Sequence, residues 1–182
     1  MDSRRDTDGI LEAAGLSISL ERALSAASLR YLDPAGEYAR AAERVLGVKL
    51  PAALEAVTTS STAVRAECIL AWRSPTETLL LSTQAAGFGQ IAAQLIDAAD
   101  GCTVDQTGAL WAVRICGARI GELLMRMGST ATIPQLGEAR TGRIAELSVL
   151  ALCVRPDETL LAIDRVHAAH LLGWIGETAN DL

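Results

Sequence analysis

The apolar positions of this chain change their period several times, and each change marks an element. Residues 1 to about 27 mix charged and small residues with the weakly periodic Ile10, Leu11, Leu16, Ile18, Leu20 and Leu24, and read as a flexible or partner-ordered arm. Asp33-Pro34 then offers an N-cap and a first-turn proline. Tyr38, Ala41, Ala42 and Val45 form one apolar stripe that stops at Gly47, the pattern of a short amphipathic helix. Residues 51 to 63, rich in Ala, Thr and Ser, read as a loop.

From residue 66 the pattern becomes strand, turn, strand: Cys68-Ile69-Leu70-Ala71-Trp72, a turn at Ser74-Pro75-Thr76, then Thr78-Leu79-Leu80-Leu81. A helix is predicted over residues 84 to 99 through Phe88, Ile91, Ala92, Leu95 and Ile96, closed by Gly101. Cys102-Thr103-Val104 and the run from Leu110 to Ile115 read as a second strand pair around Asp105-Gln106-Thr107-Gly108, and a second helix follows Gly117 with Ile120, Leu123, Leu124 and Met127. Residues 128 to 142, with Pro134, read as a loop. The run from Ile144 to Val154, a turn at Arg155-Pro156-Asp157, the run from Thr159 to Ile163 and a helix capped by Asp164 that continues to about Gly176 complete the chain.

Two of these segments are alike. Pro75-Thr76-Glu77-Thr78-Leu79-Leu80 and Pro156-Asp157-Glu158-Thr159-Leu160-Leu161 agree at five of six positions, 81 residues apart, each between an apolar strand and a helix. The chain is therefore predicted to be α+β, with internally repeated β-β-α units. Short connections between strands imply a mostly antiparallel sheet with helices packed on it, in a single domain over residues 28 to 182.

Composition narrows the function. The charge is −6 with a single lysine, Lys49, and the arginines are scattered, which argues against nucleic acid as a partner because phosphate binding needs a concentrated basic surface. No segment reaches the ~18 apolar residues of a membrane span, and the polar start offers no apolar leader segment, so a cytoplasmic location is expected. Cys68, Cys102, Cys116 and Cys153 lie in or beside strand-like runs without zinc spacing, and read as buried thiols. With only six aromatic residues, the core must come from Leu, Ile, Val and Ala.

Candidate chemistry is sparse. His167 and His170 are three apart on the last helix, so they could share a metal, but the simpler reading packs His170 against Trp174 one turn on, and no metal is expected. Asp105 beside Gln106 and Thr107 is the most site-like polar cluster: it could hold a ligand's donors or its own backbone in an Asx-turn. No glycine-rich phosphate-binding pattern is present.

The order of several short pieces is distinctive: Gly47-Val48-Lys49-Leu50-Pro51; Leu70-Ala71-Trp72-Arg73-Ser74-Pro75 with Thr76-Glu77-Thr78-Leu79-Leu80; Val104-Asp105-Gln106-Thr107; Val113-Arg114-Ile115-Cys116-Gly117-Ala118; Arg143-Ile144-Ala145; and Ile163-Asp164-Arg165 leading to His170-Leu171-Leu172-Gly173-Trp174-Ile175. Over residues 28 to 178 this resembles the gamma subunit of heterotetrameric sarcosine oxidase, a family similar in fold to the folate-binding domain of aminomethyltransferases. The resemblance implies a non-catalytic subunit with no cofactor of its own. Its partners would be alpha and beta subunits that carry FAD, FMN, NAD and the tetrahydrofolate site, and a delta subunit that carries zinc. The complex would oxidise sarcosine or a related secondary amine. The alternative is a stand-alone folate-binding or aminomethyltransferase-like protein, in which Asp105 contacts the pterin and Arg114 or Arg143 the glutamyl tail. For a partner interface, Met125, Arg126, Met127, Ile133, Leu136 and Arg140 are the candidates, because interfaces favour Met and Arg.

Overall fold

The structure is a computed structural model that describes residues 7–61, 66–83, 85–128 and 130–182. In chain order its elements are β1 (Thr7–Ala13), β2 (Leu16–Glu21), β3 (Ser25–Tyr31), α1 (Glu37–Leu46), β4 (Ala56–Ser61), β5 (Ala66–Ser74), β6 (Glu77–Ser82) and α2 (Ala85–Gln94). These are followed by β7 (Gly101–Asp105), β8 (Leu110–Cys116), α3 (Ile120–Met127), a 3-10 turn at Thr130–Thr132, β9 (Glu138–Ile144), β10 (Leu147–Arg155), β11 (Glu158–Asp164) and α4 (Arg165–Asn180). The chain forms two compact units, Leu24–Thr107 and the chain to Ala23 together with Gly108–Leu182.

Each unit is an antiparallel sheet with two helices on one face. In Leu24–Thr107 the strand order is β4-β5-β6-β3-β7, and Leu29, Leu70 and Leu80 pack with Tyr38, Leu46 and Ile91 of the helices. In the other unit the order is β1-β2-β8-β11-β10-β9, and Ile18, Val113 and Leu161 pack with Leu123, Leu171 and Ile175. Full burial of such a side chain contributes ~1.5–3 kcal/mol, which is how cores so poor in aromatic residues hold together.

The repeat is deeper than the hexapeptide that announces it. The series β3-α1-β4-β5-β6-α2 is repeated as β8-α3-β9-β10-β11-α4, and the strands take the same neighbours, β4-β5-β6-β3 and β9-β10-β11-β8. Each series is completed by a strand that precedes the other one. β7 pairs with β3, and β2 pairs with β8.

That exchange overturns three expectations. Residues 1 to 27 are not an arm over the part described: β1, β2 and the start of β3 lie there, and Leu16, Ile18 and Leu20 are buried in the core. They alternate with Ser17 and Ser19 in the period of a strand, but their partner strand, β8, comes about ninety residues later, so nothing local advertises the pairing. A single domain over residues 28 to 182 gives way to two units, one of them built from both ends of the sequence. Third, the runs flanking Asp105 do not pair with each other. The Gln106 amide donates to Ala26 O at 2.8 Å and the Ala26 amide to Thr107 Oγ1 at 3.1 Å, so the chain stays on β3 instead of turning back onto β7.

Smaller differences have local causes. The loop expected over residues 51 to 63 contains the edge strand β4, with residues 62 and 63 outside the described part. α1 starts at Glu37 rather than Pro34, because Asp33 Oδ1 accepts from the Ala35 amide at 2.8 Å. α2 stops at Gln94, and Gly101 opens β7 rather than ending a helix. The run predicted from Ile144 is a hairpin, since Ala145 and Glu146 turn the chain at φ 49° and 64°, and the loop before it gives up β9. Cys68 and Cys153 are buried as expected, whereas Cys102 and Cys116 are half-buried. Burial pushes the thiols of Cys68, Cys116 and Cys153 up from their ordinary value.

Candidate functional site

The hexapeptide repeat places one glutamate in each unit. Pro75-Thr76 and Pro156-Asp157 are two-residue loops between β5 and β6 and between β10 and β11. The residue that follows, Glu77 or Glu158, points to the sheet face away from the helices. Glu77 Oε1 accepts from Ser28 Oγ and from Arg73 Nη1 at 3.2 Å, and Arg30 Nε lies 3.9 Å away. Glu158 accepts from Arg114 Nη1 and stands 3.5 Å from Arg155 Nη1. The threonine of the motif faces the helices, where Thr78 Oγ1 is 2.9 Å from Tyr31 Oη.

Beside Glu77 the Leu24–Thr107 unit holds a cavity of about 620 Å³, walled by the end of β3, the β5–β6 turn and residues 98–102. The Asp100 carboxylate accepts from the amides of Glu37 at 2.6 Å and Tyr38 at 3.0 Å. It supplies the N-terminal cap that α1 lacks locally. The Leu32 amide donates to Asp100 O at 2.8 Å, and the amides of Ala98 and Gly101 bond each other's carbonyls. Gly101 is there by necessity: a Cβ would lie 2.5 Å from Tyr38 Cγ and 2.6 Å from Arg30 O. Tyr38 Oη is 2.6 Å from Thr103 Oγ1, and burial raises the phenol's pKa against the lowering effect of that bond. The wall is thus fixed from both sides.

The candidate ligand residues do not share a unit. Asp105 ends β7 in Leu24–Thr107, where its Oδ1 accepts from the Thr107 amide at 2.8 Å in an Asx-turn, and it borders a second cavity of about 310 Å³ with Ser25, Phe88 and Thr103. Arg114 belongs to the other unit and is held between Glu21, at 2.6 Å from Nε, and Glu158, with its side chain 15% exposed. Arg143 is exposed on β9 and tied to Glu146, by its carbonyl at 2.7 Å and its carboxylate at 3.2 Å. His170 meets Trp174 edge to face at 6.5 Å, as the one-turn spacing predicts.

The segment chosen as an interface is divided. Met127 is buried and Ile133 packs on the same core, while Met125 and Leu136 are exposed. Met127 stands four residues after Leu123 and so joins the buried stripe, whereas Met125 is turned away by the helical period. Arg126 donates to Asp181 O at 2.8 Å, and Arg140 is forked onto Glu138 at 2.7 and 3.1 Å. The more open apolar surface is on α4. Its inner side buries Ala168, Leu171, Ile175 and Ala179, yet Val166 and Trp174 on its outer side are 78% and 49% exposed. Sequence reasoning passed over this face because apolar residues lie on the inner and the outer side of this helix alike and carry little directional signal. It also missed Asp100, whose partners lie over sixty residues earlier.

Taken together, these elements define an α+β fold of two antiparallel sheets, each carrying two helices. The fold is shared with a chain of the heterotetrameric sarcosine oxidase from Corynebacterium sp. U-96, solved in complex with pyrrole 2-carboxylate, with a TM-score of 0.79 and 16% identity over 94% of this chain and 87% of that one. It is also similar to the glycine cleavage system aminomethyltransferase T from Bartonella henselae, with a TM-score of 0.63 and 12% identity over 90% of this chain. Only 46% of that longer protein is covered. No protein-family model matches the sequence, and no curated protein matches it. The fold expected from the resemblance is therefore the fold observed. Among the described residues, no helix is long and apolar enough to cross a membrane.

Proposed function

We propose that this chain is a non-catalytic, gamma-type subunit of a heterotetrameric sarcosine oxidase-like complex that oxidises sarcosine or a related secondary amine. The observation that supports the reading is the degree of fold likeness, a TM-score of 0.79 to the sarcosine oxidase chain against 0.63 to the aminomethyltransferase. On this reading FAD, FMN, NAD and tetrahydrofolate belong to alpha and beta partners, zinc belongs to a delta partner, and the complex is cytoplasmic. The outer face of α4, with Val166, His170 and Trp174, is the docking surface, in keeping with the weight that tryptophan carries at interfaces.

The test is purification of the tagged chain from its own cells. Co-purification with two larger chains that carry flavin absorbance supports the reading, and recovery of this chain alone under gentle conditions overturns it. Trp174→Glu is expected to leave thermal unfolding unchanged and to release the larger chains.

The second reading, a stand-alone folate-binding protein, needs arginines free to meet a glutamyl tail. The residues fit it poorly, since Arg114 is already enclosed by two carboxylates and Arg143 is tied to Glu146. Calorimetry with tetrahydrofolate separates the readings: micromolar binding by the lone chain favours the second.

A further inference from the structure

We propose that the cavity beside Glu77 is a binding site for a small zwitterion, a free amino acid with an apolar side chain. Three observations carry it. First, the cavity of about 620 Å³ is within the range of ~300–1,000 Å³ usual for small-molecule sites, and its position is fixed by the Asp100 cap and the close packing of Gly101. Second, its lining brings together a cation, Arg30, and a carboxylate, Glu77, each with unused hydrogen-bonding capacity. Arg30 engages only through Nε, at 3.4 Å from Ser28 Oγ and 3.9 Å from Glu77 Oε1. Among the described residues, neither of its terminal nitrogens has an acceptor. All the contacts of Glu77 are made by Oε1, which leaves Oε2 open. A guanidinium fork matches a carboxylate, and a carboxylate oxygen accepts from an ammonium, so the two ends of an amino acid find complementary groups on one rim.

The third observation is the apolar part of the lining. Leu32 is 80% exposed at the cavity's edge, with Ala98 and Ala99 alongside, an arrangement that suits an aliphatic side chain. Asp100 also lines the cavity, but both of its oxygens accept from the start of α1, where the positive end of the helix partly offsets their charge. Binding involves no covalent step.

The experiment is a titration of the full chain with leucine, followed by the backbone amide resonances of Leu32, Asp100 and Cys102. Leucinamide, which lacks the carboxylate, and 4-methylpentanoate, which lacks the ammonium, serve as comparison probes. Saturable shifts at these amides with leucine, at a dissociation constant of about 1 mM or below, are expected, and each truncated probe should bind about tenfold or more weakly. Arg30→Gln, a change at an exposed side chain, should erase the difference between leucine and leucinamide while leaving the spectrum otherwise folded. If leucine gives no saturable shift, if both truncated probes bind as well as leucine, or if Arg30→Gln keeps full discrimination, the proposal is wrong. Shifts confined to other parts of the chain overturn it equally.

Discussion

Glu77 and Glu158 hold the same place in the two units: each opens the second strand of a hairpin and accepts from a side chain that stands diagonally on the neighbouring strand. For Glu77, paired with Arg30 in register, the donor is Ser28; for Glu158, paired with Cys116, it is Arg114. Ser28 faces Leu79 and Arg114 faces Leu160, so the two donors are equivalent by register. The difference between them is reach. An arginine at this position also bonds Glu21 of β2, 2.6 Å away, and so ties three strands together.

This arrangement predicts unequal costs for equivalent substitutions. Arg114→Ala leaves the buried Glu21 without a cation and the half-buried Glu158 with Arg155 alone, a loss of about 3 kcal/mol, the lower end of the cost of a broken buried pair. Ser28→Ala removes one hydrogen bond from a glutamate that retains Arg73, at about 1 kcal/mol. Urea unfolding of both variants measures the difference, and equal losses would show that the Arg114 cluster is not a structural tie.

Asp100 caps α1 from a different part of the chain. Asp100→Ala is expected to destabilise the chain by about 0.5–2 kcal/mol, the usual cost of a lost cap. Hydrogen exchange should localise the effect: the amides of Glu37 and Tyr38 lose protection in the variant, while those of α4 keep theirs.

Two glycines make opposite predictions. At Gly101 an added methyl meets Tyr38 and the Arg30 carbonyl below 3 Å, so Gly101→Ala should cost about 1–3 kcal/mol through overpacking. At Gly173, inside α4, nothing lies within 4 Å of the added carbon, and Gly173→Ala should raise stability by about 0.5–1 kcal/mol. Thermal unfolding of the pair decides whether packing or helix propensity rules each site.

The Glu138 carboxyl is held below its ordinary range, first by its hydrogen bonds to Arg140 and then by the Gln135 amide. A lowered carboxylate pKa gives stabilisation that is complete above the unfolded value and is lost as pH falls through the folded one. Carboxyl carbon shifts should therefore place the Glu138 midpoint below that of an ordinary glutamate. In Arg140→Gln the midpoint should rise, and an unmoved midpoint would contradict the cause assigned to it.

The identity of most elements was legible along the chain. The stripes ending at Gly47 and at Met127 give α1 and α3, the Ser74-Pro75 turn separates β5 from β6, and the repeated hexapeptide marks the matching hairpins. These features depend on residues within a few positions of each other, and a helix or a tight turn is stabilised over the same span.

Pairing was another matter, because a strand's period fixes which side chains face inward and leaves open which edge it joins. Leu16, Ile18 and Leu20 carry the pattern of a strand, but only the folded chain places them on β8, and only there does β7 take the corresponding place on β3. The candidate site is affected in the same way. In the sequence Glu77 stands out only as part of a repeated turn, and Arg30, Leu32 and Asp100 became its neighbours only when β3, β6 and β7 aligned. Arg114, which looked free to meet a ligand, lost that freedom once β2 and β11 brought a carboxylate to either side. The sequence by itself determined the elements, since their energetics are local. Tertiary structure decided the partners, since a sheet edge accepts any strand of suitable pattern, and the choice is made by the burial of both faces at once.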